Sequence, residues 1–129
     1  MIQSLSTDFL IRIKNGSRAT RKTITAPGSK FSVAMCQLLK KSGFIADYKV
    51  ADDVKKEITI ALAYPNGQPR ITDVRLFSKP GRRYYSKSSQ LPWGQTPTSL
   101  IVISTSSGVM SQREANKKGL GGEIIAEIW

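Results

Sequence analysis

The chain contains no histidine, and this absence removes more chemistry than any other feature of its 129 residues. Histidine is the usual acid/base near neutral pH and the commonest metal ligand. A single cysteine, Cys36, excludes an internal disulfide and any cysteine-based metal cluster, which suits a reducing compartment. Acids are scarce: nine Asp and Glu stand against twenty Lys and Arg, a formal charge of +11. Long apolar runs are missing too. No segment approaches the length that spans a bilayer, and the N-terminus lacks the pattern of a secretory signal. The expectation is a protein of a cytoplasm or of an organelle matrix or stroma, with no membrane partner. No Walker-type loop, dinucleotide fingerprint or metal-ligand cluster is present, so no catalytic residue, cofactor or metal is expected.

What is there is positive charge and enough apolar residues, 40% of the chain, to bury a core. Residues 1–64 carry +6 and residues 65–129 carry +5, so the charge belongs to the whole body and not to a tail. Such a field favours a polyanion, of which nucleic acid is the commonest.

Local patterns divide the chain. Ser4 or Ser6 is placed to cap a first helix in which Leu5, Phe9, Leu10 and Ile13 recur at helical spacing, and Asn15-Gly16 reads as its end. A strand over 22–26 runs into Pro27-Gly28. Ser29 then caps a second helix with Phe31, Val33, Ala34, Met35, Leu38 and Leu39 on one broad side, Lys40 and Lys41 in its last turn and Gly43 as its stop. Strands over 44–50 and 57–64 follow, around a charged turn at 51–56; Ile58, Ile60 and Leu62 show the two-residue period of a half-buried strand. Pro65-Asn66-Gly67 is a strong turn signal and marks a lobe boundary. Beyond it come short strands over 71–77, 82–85 and 100–105, and a loop over 91–99. Ser111 with Glu114 makes a capping box for one short helix stopped by Gly119, and a last strand covers 123–129. The expected class is α+β in two small lobes: an N-terminal α-β-α-β-β lobe, residues 1–64, and a β-rich C-terminal lobe with a short helix, residues 65–129.

Three motifs bear on function. Ser104, Thr105, Ser106 and Ser107, followed by Gly108, place four hydroxyls on a turn; they are either ordinary turn formers or partners for phosphate and ribose oxygens. Lys79-Pro80-Gly81-Arg82-Arg83-Tyr84-Tyr85-Ser86-Lys87 interleaves cations with aromatics, a composition that neutralises phosphate and stacks on an unpaired base. In a strand, Tyr84 and Tyr85 point to opposite faces, and Tyr85 is read as exposed with Tyr84 in the core. The third set, Arg12, Lys14, Asn15, Arg18, Arg21, Lys22 and Lys30, could track phosphates together, since no acid interrupts residues 12–22. Glu123 either marks the exposed side of the last strand or bonds the hydroxyl turn or an RNA amino group. Cys36 reads as a small buried hydrophobe, and Trp93 and Trp129 as packing or partner contacts.

The run STSSGVMSQREANKKGLGGEIIAEIW resembles the C-terminal signature of the eighth small-subunit ribosomal protein family in its bacterial-type form. DFLIRIKNG, Pro27 to Lys30, LLKKSGFIADYKV and KPGRRYYSK resemble further blocks of that family in the same order. The resemblance implies a structural constituent that binds the central domain of small-subunit ribosomal RNA early in assembly, chiefly through its C-terminal lobe. It also implies neighbouring small-subunit proteins as partners and, in many bacterial members, repression of the protein's own operon through a message RNA that mimics the ribosomal helix. It assigns RNA contact to Ser104, Thr105, Ser106, Gly108, Tyr85 and Glu123, with Arg12, Asn15 and Lys30 toward neighbouring RNA. Ser107, Arg82, Arg83, Lys87 and Lys14 join the expected interface by charge and position. The loop at 91–99 departs from the family pattern, and Trp93 is foreign to it. Rival readings are another RNA- or DNA-binding regulator, and a serine hydrolase that the lack of histidine disfavours.

Overall fold

The computed structural model describes residues 2–51, 56–78, 81–87, 94, 96 and 98–129, with side chains from residue 7 onward. Among the described residues the chain forms three α-helices and eight strands in two antiparallel sheets. Helix α1 spans Ile2–Arg18, strand β1 Thr23–Ala26, helix α2 Lys30–Lys41, strand β2 Ile45–Val50 and strand β3 Ile58–Leu62. A 3-10 turn, Pro65–Gly67, leads to strands β4 (Val74–Leu76), β5 (Tyr85–Ser86), β6 (Leu100–Thr105) and β7 (Gly108–Ser111), helix α3 (Gln112–Lys118) and strand β8 (Gly122–Ile128). The first sheet has the order β1-β3-β2 and the second β4-β8-β6-β7, with β5 also on β8. The α+β reading is thus borne out.

Both interior caps form as the sequence implies. The Ser29 hydroxyl accepts from the Ser32 N–H, and the Ser111 hydroxyl accepts from the Glu114 N–H, each satisfying an amide that its helix leaves unpaired. Helix α1 differs from the reading at both ends. Its backbone is already helical at Ile2, so Ser4 and Ser6 lie inside the helix, where a cap's extended backbone is not available; their side chains and that of Leu5 lie outside the described residues. At the other end the helix runs through Asn15-Gly16 to Arg18. Tertiary packing overrides the stop signal, because a Cβ on Gly16 would stand 2.5 Å from Ile24 Cγ2, so the bare glycine lets β1 approach the helix.

One cluster of buried side chains takes Phe9, Leu10 and Ile13 from α1, Met35 and Leu39 from α2, Ile58 and Ile60 from β3, and Val102, Ala126 and Ile128 from the second sheet. A second cluster, Ile101, Ile103, Met110, Ala115 and Ile124, lies on the opposite face of that sheet against α3. Covered on both faces, β6 reads as the continuous apolar run 100–103 instead of an alternation. Cys36 belongs to the first cluster, and burial pushes its thiol up to about 12, which makes it inert.

In the C-terminal half β6 matches the expected 100–105 and β8 lies one residue before the expected 123–129, whereas β4 and β5 are shorter than the expected strands and β7 is an addition to them. Strand β4 is limited to Val74–Leu76, and the reciprocal bonds between the Asp73 and Trp129 main chains carry its pairing one residue beyond the end of β8. Of the expected 82–85 strand, Tyr85 alone belongs to the pair of residues, Tyr85 and Ser86, that forms β5 on β8. Strand β7, which begins directly after the hydroxyls, is only four residues long, too short to show a period. The turn at 51–56, apart from Ala51 and Lys56, lies largely outside the described residues, as do Lys79, Pro80, Trp93 and most of the 91–99 loop.

Candidate nucleic-acid interface

The hydroxyl segment is the tip of a β-hairpin. Strands β6 and β7 pair from Val102↔Ser111 to Thr105↔Gly108, which leaves Ser106 and Ser107 as a two-residue turn. Thr105 Oγ1 donates to the Gly108 carbonyl at 2.9 Å and accepts from the Ser107 N–H at 3.1 Å. Gly108 has φ of 109°, a conformation that side-chain-bearing residues rarely adopt. The two readings of this motif therefore divide among its residues. Thr105 forms the turn, while Ser106 and Ser107 carry exposed side chains and Ser104 stands half-buried at the strand end.

Register brings the scattered motifs together. Tyr85 pairs with Glu123, Glu123 with Ser104, and Ser104 with Val109, so four residues from four strands form one row. Directly opposed residues in a sheet project to the same face. Further along, that face carries Val102 and Ala126 into the core, so the row is its polar continuation. A β-bulge makes this possible. Val102 pairs with Ala126 but Ile103 pairs with Ile124, leaving Ile125 as an extra residue. Because side chains alternate with period two, one added residue reverses the faces beyond it and turns Glu123 to the side of Ser104. Next to the row, a Cβ on Gly122 would stand 2.1 Å from the Ser104 carbonyl oxygen, so only glycine permits this approach of β8 to β6.

The aromatic-basic segment borders the row. Tyr85 is exposed (61%), as read from the sequence, but Tyr84 is exposed too (47%), against the expectation of a core position. With only two paired residues, β5 lies at a sheet margin that no second layer among the described residues covers, and the Tyr84 ring leans on Phe77 instead, centroids 5.8 Å apart. Arg82, Arg83 and Lys87 are exposed beside it. A hydrogen bond to Tyr85, together with attraction to Tyr85 and Glu123, holds the Arg83 guanidinium above its ordinary pKa. Glu123 thus sits between Tyr85 and Ser104 and is attracted to the Arg83 charge.

The N-terminal candidates separate. Arg12 bonds Asp8 at 2.9 Å and the Thr25 carbonyl at 3.2 Å, and with Asn15, Arg21 and Thr23 it lines a shallow polar groove. Lys14 and Arg18 turn away toward Asp73, at 3.2 and 3.5 Å, and Lys14 also reaches the Val74 carbonyl. Lys30 stands apart, at the start of α2 beside Val33, Val50 and Lys56. The expected set therefore does not form one surface.

Asp73 is held below its ordinary value of 3.8 by the Val74 N–H and by the Lys14 and Arg18 charges, against an opposing effect of burial. A depressed carboxylate stabilises the fold above 3.8 and loses that contribution as pH falls through its lower folded value. Asp73→Asn is therefore expected to lower the urea midpoint at pH 7 and to leave a shallower loss of stability below pH about 4. Equal acid sensitivity in the variant and the parent would discount these ion pairs.

Gly122, which the close approach of β8 to β6 requires, carries no signal in the sequence beyond being half of the pair Gly121-Gly122. Among the described residues, no group of three or more His, Cys, Asp or Glu side chains could hold a metal ion, and no helix is long and apolar enough to cross a membrane.

The family model described as "Ribosomal protein S8" matches residues 5–129. The "Small ribosomal subunit protein uS8" of Tolumonas auensis is 45% identical over 121 residues, covering 94% of this chain and 93% of that protein. Its namesake in Vibrio cholerae is 42% identical over 127 residues, covering 98% of each, and that of Shewanella putrefaciens 40% over 121 residues. On a full-length match of this kind, the chain belongs to the ribosomal protein S8 family.

Proposed function

We propose that the protein is a structural constituent of the small ribosomal subunit that binds ribosomal RNA directly, through the row Tyr85–Glu123–Ser104 and the hairpin tip beside it. The observation that carries this reading is the register that aligns these residues with exposed hydroxyls at Ser106 and Ser107 and cations at Arg82, Arg83 and Lys87. Each part suits RNA. Serine hydroxyls match the 2′-hydroxyl, which both donates and accepts; an exposed tyrosine face stacks on an unpaired base; the arginines neutralise phosphate. Glu123 accepts from a base amino group or orients Arg83, a use for a carboxylate in an otherwise cationic site. The protein works by positioning and charge neutralisation, with no chemical step.

We place the RNA contact in the central domain of the small-subunit RNA, where an irregular helix offers the unpaired bases that such a site reads. The C-terminal sheet makes the main contact, and the Arg12–Asn15–Arg21 groove meets neighbouring RNA. Other small-subunit proteins are the expected partners on the remaining faces, and a message RNA folded to the same shape would occupy the same row. The working place is a ribosome of a bacterial cytoplasm or an organelle.

Filter binding to small-subunit ribosomal RNA tests the reading. Tyr85→Ala and Ser106→Ala should each lose about 1–3 kcal/mol of affinity, whereas Arg12→Ala should mainly flatten the dependence on salt. Full affinity in both the Tyr85 and Ser106 variants sinks the site, and equal binding to duplex DNA favours a DNA-binding regulator.

A further inference from the structure

The corner between β4 and β5 contains a buried hydroxyl whose one proton and one of whose lone pairs are already engaged by the main chain. Ser78 is 5% exposed. Its Oγ donates to the Ile124 carbonyl at 2.7 Å and accepts from the Tyr84 N–H at 3.0 Å. The main chain around it grips the same place: the Phe77 and Ser78 N–H groups both donate to the carbonyl of the bulged Ile125, at 3.0 and 3.3 Å, and the Ile124 N–H donates to the Tyr84 carbonyl at 2.7 Å. Both backbone groups of Tyr84 are thus tied to Ile124, one directly and one through Ser78. The residues that follow each of these partners in the pairing are Tyr85 and Glu123.

Strand β5 has two paired residues, too few to hold a register firmly by ladder bonds alone. A hydroxyl that bridges its entry to β8 supplies the missing constraint. We propose that Ser78 is a positioning residue of the RNA interface: through the Tyr84 amide it sets where Tyr85 stands over Glu123, and so governs RNA affinity without touching RNA. This inference rests on the RNA-binding reading of the row. It also accounts for a polar side chain buried at a sheet corner next to Phe77, where an alanine would pack equally well but would leave a buried carbonyl and an amide without this partner.

A double-mutant cycle read by filter binding to small-subunit ribosomal RNA tests it. Ser78→Ala alone should weaken binding about tenfold, and Tyr85→Ala by about tenfold or more. The double variant should bind within about twofold of Tyr85→Ala, because a residue that acts through Tyr85 has nothing left to position. Hydrogen exchange on the free protein is the second measurement: in Ser78→Ala the Tyr84 and Ile124 amides should exchange faster while the β6 amides keep their protection. Losses that multiply in the double variant, or protection lost throughout β6 as well, would make Ser78 a general stability residue and overturn the inference. Parental affinity in Ser78→Ala, with Tyr85→Ala weakened, overturns the inference and leaves the RNA reading standing. Parental affinity in Tyr85→Ala overturns the RNA reading itself, and this inference with it.

Discussion

Gly122→Ala is expected to damage both stability and RNA binding. The added Cβ would stand 2.1 Å from the Ser104 carbonyl oxygen and 3.2 Å from the Thr105 Cα. These are backbone atoms of a strand paired on both sides, by β7 and by β8, so they cannot swing aside as a side chain would. Overpacking of this kind costs about 1–3 kcal/mol, and the upper end applies where the obstacle is backbone. The strain also falls on the row, because pushing β6 from β8 parts Ser104 from Glu123. RNA affinity should therefore drop by about tenfold or more even at a temperature where circular dichroism shows the variant folded. A variant that unfolds at the parental urea midpoint and binds with parental affinity would show that β6 and β8 do not approach this closely.

Phe9→Ala should be the most destabilising substitution on α1, at about 3–5 kcal/mol. Phe9 is 1% exposed in the cluster that joins α1, α2 and β3 to Val102, Ala126 and Ile128 of the second sheet. A cavity there withdraws contacts from both halves of the chain at once. We expect one urea transition, shifted to lower denaturant, reported identically by a probe in residues 1–64 and by the exchange of β6 and β8 amides. Two separated transitions would instead assign the two halves independent stability, in line with a boundary at Pro65–Gly67, and would confine the effect of Phe9 to the first.

Legibility in the sequence follows the range of the forces involved. The caps at Ser29 and Ser111 and the stops at Gly43 and Gly119 are readable because a cap is a contact within three residues. The alternation of Ile58, Ile60 and Leu62 is readable because β3 has one buried face. Gly16 misleads, since its role depends on Ile24, a residue of another element. The bulge at Ile125 is invisible for a related reason. Plain alternation over 122–128 would place Ile124 with Ala126 and Ile128, yet the fold sends Ile124 to one core and Ala126 to the other. Of the site, the residue types were legible and their alignment was not: Tyr85, Ser104 and Glu123 stand out as chemistry, but only cross-strand register makes them neighbours. Lys14 shows the reverse, a cation with the right sign whose place beside Asp73 is set by the meeting of α1 with the residues before β4.

The hydrogen bonds of Thr105 have a consequence for the thermodynamics of assembly. By accepting from the Ser107 amide and donating to the Gly108 carbonyl, this one side chain braces the hairpin tip from within the protein. The conformational entropy of the loop is then lost when the protein folds, not when it binds. On the proposed reading, an RNA that docks on Ser106 and Ser107 would meet a tip already ordered, so little of the contact energy would be diverted into ordering the protein. Whatever ordering cost assembly carries at this interface falls on the RNA.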